Sequence, residues 1–429
     1  MRPGRRRPGR ALLLVLAALA TLTTGCGTAG AVTIIGPWTG AEGAAFREIL
    51  EQFRRQTGIA YDYHGTRSLS AVLAVDVRGG TPPDVAVLPS PNELVNYQRQ
   101  GALSDVAELA DTLRRSYSPQ WLQLAQAGTG RPYAVVVKAT LKGMVWYNPA
   151  MLQGPAPATW SQLVRLTRTH AAEGRTPWCL GMGAMAASGF PGTDWIEDIL
   201  LRRAGPRVYQ RWAAGELPWT APEVRAAWEA WGELVLAEGA VHGGRGGALL
   251  TDFTEANDTM FADPPGCFLE HQGSSVVSDY RKAGARLAFF PTPGPTAGTA
   301  RAWEVSADLA TMFRSTPQAR ELMRFLASDD AQRLWPRAEQ GAVFTVNRAV
   351  SAAAQTDRVS RSVARILTTA DVLCYDASDL MPPAMTNAFH RAVLGYLAEP
   401  GALEEILADL ERVRLGVPPQ DWAGFACGR

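Results

Sequence analysis

One short segment gathers two aromatic rings and three carboxylates near the start of a predicted helix. The segment covers residues 187–201, and Asp194 opens a run of apolar residues at helical spacing. Asp194 and Glu197 stand three apart, the spacing of a capping box that satisfies free backbone N–H groups in the first turn. Flat apolar rings with a few fixed polar groups are what a sugar requires. The segment therefore suggests a carbohydrate site, and a capped helix with Phe190 and Trp195 packed inward is the alternative.

The same carboxylates raise the possibility of a secreted glycoside-acting enzyme. Such an enzyme places two carboxyl groups either about 5 Å or about 6.5–9.5 Å apart, on either side of the bond that is cleaved. Helix capping explains Asp194 and Glu197 without catalysis, and the five histidines form no catalytic triad or metal-ligand spacing. We therefore predict a protein that is not an enzyme and that has no metal and no cofactor.

The first 25 residues have the pattern of an export signal. Five arginines precede an apolar run at 11–22, and Thr-Thr-Gly ends the segment. The run is shorter than a membrane-spanning helix requires. Thr-Thr-Gly-Cys resembles the lipobox of bacterial lipoproteins, with Thr23 where leucine is usual. We expect cleavage after residue 25 and a lipid on Cys26, which would anchor the protein to the outer face of the cell membrane. The Sec and twin-arginine export routes both stay open.

Charge and cysteine content restrict the possible partners. Without residues 1–25 the chain has 37 basic and 41 acidic residues, and this dispersed, mildly acidic balance argues against nucleic-acid binding. Four cysteines remain beside Cys26, an even number that suits disulfides in an oxidising compartment. Three pairings are possible, of which we favour Cys179 with Cys267 and Cys374 with Cys427. No Cys-x-x-Cys spacing supports zinc.

The elements that would position a site follow an alternating order. Strands are predicted at 31–36, 59–63 and 84–88, with helices at 42–57 and 68–77 between them and a helix start at Ser90. This β-α-β-α-β order predicts a parallel sheet, and ligands bind beyond the carboxyl ends of such strands. Tryptophans between 202 and 239 are interpreted as packing in a helical second lobe. The Pro/Gly-rich stretch 291–299 is the best internal candidate for a crossing between lobes.

Several motifs resemble the α-glucoside-binding components of carbohydrate ABC transporters, which are family 1 extracellular solute-binding proteins related to maltose-binding proteins. The motifs are Thr-Trp at 159–160, Gly-Arg-Thr-Pro-Trp-Cys at 174–179, Phe-Pro-Gly-Thr-Asp-Trp-Ile-Glu-Asp at 190–198, Thr-Asp-Phe at 251–253, Phe-Ala-Asp-Pro-Pro-Gly-Cys at 261–267 and Asp-Ala-Ser-Asp-Leu-Met-Pro at 376–382. The resemblance implies the α/β, two-lobed periplasmic-binding-protein fold, with hinge-crossing segments and a helix-rich second lobe. It divides the chain into a first lobe at 31–138 with 291–344 and a second lobe at 139–290 with 345–429.

The resemblance also implies a sugar in the cleft between the lobes, delivered to ABC permease subunits, and we expect a monomer. A sugar-binding sensor component without a transporter is a further alternative. The expected ligand-binding residues follow strands or lie at the crossings; they are Trp38, Thr39, Glu42, Arg67, Ser90, Lys138, Phe190, Asp194, Trp195, His271, Gln272, Trp303, Asp308 and Asp379. Trp303 and Asp308 are assigned to a loop after the crossing back.

Overall fold

The computed structural model describes residues 30–152, 154–286, 288–298, 302–339 and 343–428. The predicted export signal and Cys26 lie outside the described residues. The strands are β1 Val32–Gly36, β2 Tyr61–Gly65, β3 Val85–Leu88, β4 Ala134–Leu141, β5 Met144–Tyr147, β6 Leu269–His271, β7 Phe289–Pro291, β8 Ala302–Met312, β9 Val372–Tyr375 and β10 Cys427–Gly428.

The helices surround two sheets. In chain order they are α1 Gly40–Thr57, α2 Leu69–Arg78, α3 Pro91–Arg99, α4 Ala110–Ser116, α5 Pro119–Ala125, α6 Trp160–Ala172, α7 Phe190–Ala204, α8 Pro206–Ala213, α9 Pro222–Val235, α10 Gly244–Leu250, α11 Val277–Lys282, α12 Pro317–Leu326, α13 Asp329–Ala338, α14 Arg358–Thr369, α15 Ala377–Leu380, α16 Pro383–Ala398 and α17 Leu403–Gly416. Within the described residues, no helix combines the length and the apolar character needed to cross a membrane.

The predicted parallel sheet is confirmed at the amino-terminal end of the chain. β1 lies between β2 and β3 and is parallel to both. α1 covers this sheet because its apolar residues recur at helical spacing and bury one face, which includes Phe46, Ile49 and Phe53. The helix ends at Gly58, which adopts the left-handed conformation that glycine tolerates best. The carboxyl ends of β1 and β2 therefore open at the same edge of the sheet.

A long antiparallel pair, β4 with β8, runs through the larger sheet. Near its carboxyl end β8 pairs with β3, whereas its first residues pair with β9, and β4 lies along the opposite edge of β8. The whole sheet has the order β10-β9-β8-β3-β1-β2 with β4 on β8, and a second sheet has the order β6-β5-β7. Trp303 and Asp308 both lie within β8, so their assignment to a loop is wrong. β8 is buried along nearly its whole length because strands pair with both of its edges, so both residues belong to one continuous strand.

The remaining part of the chain is rich in helices around α7. This helix packs on α8, α9 and α16, and the tryptophans of the neighbouring segment are fully buried at 212, 219, 228 and 231. Phe389 of α16 contacts three of them edge-on or tilted. The interpretation of these tryptophans as packing residues is confirmed. The division of the chain into lobes at 138, 290 and 344 stays a prediction, and β9 joins the sheet at the first residues of β8.

Both favoured disulfides form in the structure. Cys179 bonds to Cys267, and Cys374 of β9 bonds to Cys427 of β10. Each bond closes a loop of more than 50 residues, which restricts the unfolded chain and stabilises the fold by about 2–4 kcal/mol.

Two helices of this part of the chain begin in different ways. At the start of α6, Thr159 and Gln162 form a capping box. The capping box of Asp194 and Glu197 is wrong, because α7 begins at Phe190 with Gly189 as its N-cap residue. Gly189 has a φ of 104°, a conformation that few other residues adopt, and it is the N-cap residue five positions before Asp194. Asp194 and Glu197 consequently lie inside the helix and bond elsewhere.

Candidate functional site

The central feature of the candidate site is Lys138, which faces Asp308 across the β4–β8 pair. A β-bulge between Val136 and Lys138 interrupts the register just before this point. The ammonium group of Lys138 lies 2.6 Å from a carboxylate oxygen of Glu339 and 3.7 Å from one of Glu42. One cation is thus shared between carboxylates from two different helical regions.

Two indole rings lie under the same ammonium group. Its nitrogen is 4.6 Å from the ring centroid of Trp38 and 5.2 Å from that of Trp335, distances at which a cation is attracted to a ring face. Both rings are almost entirely buried. The indoles therefore help to hold Lys138, and little of their surface is left for a ligand.

Asp308 is an unusual carboxyl group in this cluster. Burial raises its pKa to about 6, while the charge of Lys138 and a hydrogen bond from the Trp38 side chain lower it and the negative charge of Glu42 raises it further. Glu339 also has a raised pKa, again chiefly because of burial. The protonation of Asp308 therefore changes close to neutral pH.

These residues line a cavity of about 370 Å³. Its wall is formed by Glu42, Arg67, Lys138, Ala139, Thr140, Phe253, Thr254, Gln272, Ser275, Val276, Ser278, Asp279, Asp308, Glu339 and Val343. The expected first lobe contributes Glu42, Arg67, Lys138, Asp308, Glu339 and Val343. All the other lining residues come from the expected second lobe. Arg67 reaches Glu42 at 2.7 Å across the mouth. A larger cavity, of about 690 Å³, lies on the outer side of α1 and contains none of the predicted site residues.

A second cluster surrounds Lys142, just past the end of β4. Its ammonium group is 2.9 Å from an oxygen of Asp194 and makes a short contact with Asp376. Burial opposes the charge of Lys142, but Asp194 and Asp376 raise its pKa above the ordinary value. Burial raises the pKa of Asp194 to about 6, and the charge of Lys142 lowers that of Asp376 despite burial. Neither Lys142 nor its partners line the 370 Å³ cavity.

Glu304 completes the acidic side of this second cluster. It is fully buried, and within the described part of the chain neither carboxylate oxygen has a hydrogen-bond partner. Burial and the nearby Glu197 and Asp376 raise its pKa well above the ordinary value, which favours the neutral form of the group. Oxygens of Asp194, Glu304 and Asp376 lie within 4.8 Å of one another, a spacing that a metal ion could use. The ammonium group of Lys142 already bonds two of these residues and supplies the positive charge there.

The polar residues of α7 bond within the protein interior. Glu197 accepts hydrogen bonds from the backbone N–H groups of Ala377 and Ser378. Asp198 binds the Arg202 guanidinium at 3.1 Å and a ring nitrogen of His271 at 3.2 Å. A buried helix that carries several charged residues needs such partners, because an unpaired buried charge is costly.

The structure brings some of the predicted site residues together and separates others. Glu42, Arg67, Lys138, Gln272 and Asp308 line the cavity. Trp38 lies directly behind Lys138, and Thr39 is the N-cap residue of α1 beside it. Phe190 does not line the cavity but contacts Phe253, which does, with ring centroids 4.9 Å apart.

The other predicted residues do not line the cavity. Trp195 is fully buried and stacks on the ring of His271, with centroids 4.1 Å apart. Asp194 bonds to Lys142 as described above. The hydroxyl of Ser90 donates to the backbone carbonyl of Asp379. Trp303 packs under the guanidinium of Arg202, at 4.9 Å from ring centroid to Cζ.

Sequence reasoning missed Phe253, Asp279 and Glu339, all of which line the cavity. Phe253 lies in a Thr-Asp-Phe motif that carries the family resemblance, so a signal existed for it. Glu339 directly follows α13, and Asp279 lies within the short α11. Neither has a local pattern that distinguishes it from an ordinary surface carboxylate.

The two-lobed architecture and the cavity lined from separate segments define a ligand-binding protein of the periplasmic-binding class. The sequence matches the family described as "Bacterial extracellular solute-binding protein" over residues 37–333. The chain belongs to this family.

Two curated relatives cover most of the chain. It is 33% identical over 375 residues to the "Osmoprotective compounds-binding protein GgtB" of Synechocystis sp., with 85% of this chain and 88% of the relative covered. It is 30% identical over 373 residues to the "Alpha-glucosides-binding periplasmic protein AglE" of Rhizobium meliloti, with 82% and 80% covered.

Solved structures share the fold at lower sequence identity. The bacterial solute receptor AcbH, described with an exclusive preference for β-D-galactopyranose, has a TM-score of 0.75 at 19% identity over 90% of this chain and 97% of that one. The protein RafE in complex with raffinose has a TM-score of 0.68 at 17% identity, over 89% and 98%. At these identities the likeness establishes the two-lobed fold.

Proposed function

We propose that this protein is the extracytoplasmic substrate-binding lipoprotein of an ABC importer, and that it captures an α-glucoside or a short oligosaccharide in the 370 Å³ cavity. The observation that carries the proposal is a cavity whose polar wall combines segments from both expected lobes, beside the strand pair β4–β8. The names of the two curated relatives support an osmoprotective compound or an α-glucoside as the ligand class.

The proposed mechanism is a shift between open and closed forms. A ligand that contacts Lys138 and Asp308 on one side and Gln272 on the other makes more contacts when the lobes are closed, so it favours that form by the difference in binding free energy. Permease subunits would then recognise the closed protein. The ligand leaves chemically unchanged.

Calorimetry of the purified protein, from residue 27 onward, tests the proposal. Maltose, trehalose and sucrose are titrated, with a dipeptide as a control that has no sugar ring. We expect at least one glucoside to bind and the dipeptide to give no heat of binding. No binding across a broad panel of glucosides would contradict the proposal.

Chromatography of the same mixtures after prolonged incubation tests the enzyme alternative, because a hydrolase would release new products.

The lipid anchor needs a separate test, since Cys26 lies outside the described residues. A Cys26→Ala variant of the full chain is expected to leave the membrane fraction and to lose incorporation of a labelled fatty acid. A Cys427→Ala variant is the matched control, because that cysteine is bonded to Cys374 and should not affect the anchor.

A further inference from the structure

The cavity has an excess of negative charge. Among its lining residues four are carboxylates, Glu42, Asp279, Asp308 and Glu339, and two are cations, Arg67 and Lys138. Most sugars are uncharged and need hydrogen-bonding groups of either sign. The excess of carboxylates over cations therefore bears on whether the cavity accepts a positively or a negatively charged ligand.

Both cations are already paired within the protein. Arg67 binds Glu42 at 2.7 Å, and Lys138 binds Glu339 at 2.6 Å while resting on two indole rings. A phosphate or carboxylate on a ligand would have to displace one of these carboxylates to gain a cation. It would also lie near Asp308 and Asp279, which repel it.

Asp308 is the carboxyl group best placed to receive a positive charge. It accepts a hydrogen bond from Trp38, and its interaction with Lys138 is shared with two other carboxylates. Asp279 accepts a hydrogen bond from the Ser278 hydroxyl and pairs with Lys282, a side chain that is 76% exposed, and such exposed ion pairs contribute little. An ammonium group entering the cavity would thus meet two carboxylates whose ion pairs are either shared or exposed.

Apolar stacking contributes little to the wall. Phe253 supplies the one aromatic ring among the lining residues that the structure describes. Trp38 and Trp335 lie beneath Lys138 and are buried. Recognition in this cavity therefore depends on charge and hydrogen bonding more than on stacking against ring faces.

We propose that the cavity selects its carbohydrate by charge: it binds an amine-bearing glucoside more tightly than the neutral parent sugar and rejects phosphorylated or uronic forms. This inference rests on the proposed function and narrows its ligand class. Asp308 is the specificity-determining residue, and Asp279 assists it.

The experiment compares ligands that share one scaffold. Trehalose, 6-amino-6-deoxytrehalose and trehalose 6-phosphate are titrated into the purified protein at pH 7.5, and the corresponding derivatives of maltose form a second series. We expect the amine to bind about tenfold more tightly than the neutral sugar, and the phosphate at least about tenfold more weakly. Equal affinities, or tighter binding of the phosphate, would overturn charge selection while leaving sugar capture intact. If none of the neutral sugars binds, the proposed function is contradicted, and this inference is contradicted with it.

An Asp308→Asn variant tests the assigned residue. The asparagine oxygen can still accept from Trp38, so the fold is preserved, which thermal unfolding checks. Because Asp308 is proposed to contact the ligand, the neutral sugar should bind more weakly as well, but the affinity ratio of the amine to the neutral sugar should fall from about tenfold to about one. Asp62→Asn, at an exposed position of β2, is the matched control and should retain the preference.

A pH series distinguishes recognition of the charge of the ligand from recognition of its shape. The charged groups around Asp308 are Lys138, Glu42, Glu339 and Asp379. As the pH falls below about 6, Asp308 gains a proton and the preference for the amine should shrink. A preference unchanged from pH 7.5 to 5 would contradict the role of Asp308.

Discussion

Lys138 and Lys142 lie four positions apart, yet their surroundings have opposite characters. Lys138 shares its charge with Glu42, whose side chain is 40% exposed, and it lines a cavity. Lys142 is bonded to Asp194 and Asp376, whose side chains are 5% and 3% exposed. Lys138 therefore borders space that a ligand can enter, whereas neither Lys142 nor its partners line that cavity. Access to the cavity distinguishes the lysine that we propose contacts the ligand from the lysine that is bonded within the protein interior.

The largest expected effect comes from Lys142→Met, which removes the cation from the sealed cluster. Asp194 and Asp376 would then be buried without compensation, so the free energy of unfolding should fall by about 3–5 kcal/mol. Urea unfolding followed by circular dichroism measures the change. Lys282→Met is the control, because that lysine is exposed and its loss should change stability by less than about 0.5 kcal/mol. A loss below about 1 kcal/mol in Lys142→Met would show that the cluster is not structural.

Lys138→Met should weaken ligand binding and cost less stability than Lys142→Met does. The methionine stem can still cover the rings of Trp38 and Trp335, but the charge that orders Glu42 and Glu339 is lost. We expect the affinity for the best-binding glucoside to fall between about tenfold and a hundredfold, that is, by about 1.4–2.8 kcal/mol. The loss of unfolding free energy should be less than half of that in Lys142→Met. If the two variants lose stability equally and Lys138→Met still binds sugar, the comparison fails.

Glu304→Gln tests the raised pKa of the buried acid. Because the pKa of Glu304 is raised in the folded protein, its contribution to stability is fully present below the unfolded pKa of about 4.5 and is lost as the pH rises towards the folded pKa. Glutamine has no such dependence. Relative to the natural protein, the variant should therefore gain stability as the pH rises from 5 to 8 and should show little gain at pH 4; urea unfolding at each pH measures the difference. A constant difference across this range would mean that the pKa of Glu304 is not raised.

The smallest expected effect on stability is that of Glu42→Gln. Its ion pair with Arg67 joins two side chains that are 40% and 55% exposed, so the free energy of unfolding should change by less than about 1 kcal/mol. Binding should respond more, because Arg67 and Lys138 would both lose a partner at the cavity. Glu51→Gln is the matched control, since Glu51 pairs with Arg54 on the same helix away from the cavity. Its variant should bind sugar normally.

The sequence predicts much of the fold because its patterns are local. The alternation of β1, β2 and β3 with their helices and both disulfides are confirmed. The start of α7 was misjudged because Phe-Pro-Gly is typical of a loop, and only the left-handed backbone of Gly189 extends the helix back to Phe190. The apolar residues that follow have helical spacing whether the helix begins at Phe190 or at Asp194, so they do not distinguish the two starts.

The candidate site was harder to predict than the fold. Glu42 and Arg67 follow the parallel strands β1 and β2, a placement that needs only the order of elements. Lys138 lies within β4, which is antiparallel to β8. Trp195 and Asp194 have the chemistry of a sugar site, yet the structure buries them in α7 against His271 and Lys142. Residue type alone does not reveal which face of a fully buried helix is polar. Glu339 depends on a contact between α13 and β4 that no local pattern encodes.

The bulge in β4 has a consequence for how one strand can serve two environments. Residues two apart in a regular strand point to the same side. Val136 pairs with Leu309 and Lys138 with Asp308, which are neighbours on β8 and point to opposite sides. Val137 is thus the extra residue that reverses the direction of the side chains between apolar Val136 and charged Lys138, without a turn in the strand. In a regular strand without this irregularity, Lys138 would pair with Ala307, and its ammonium group would point to the same side of the sheet as Val136.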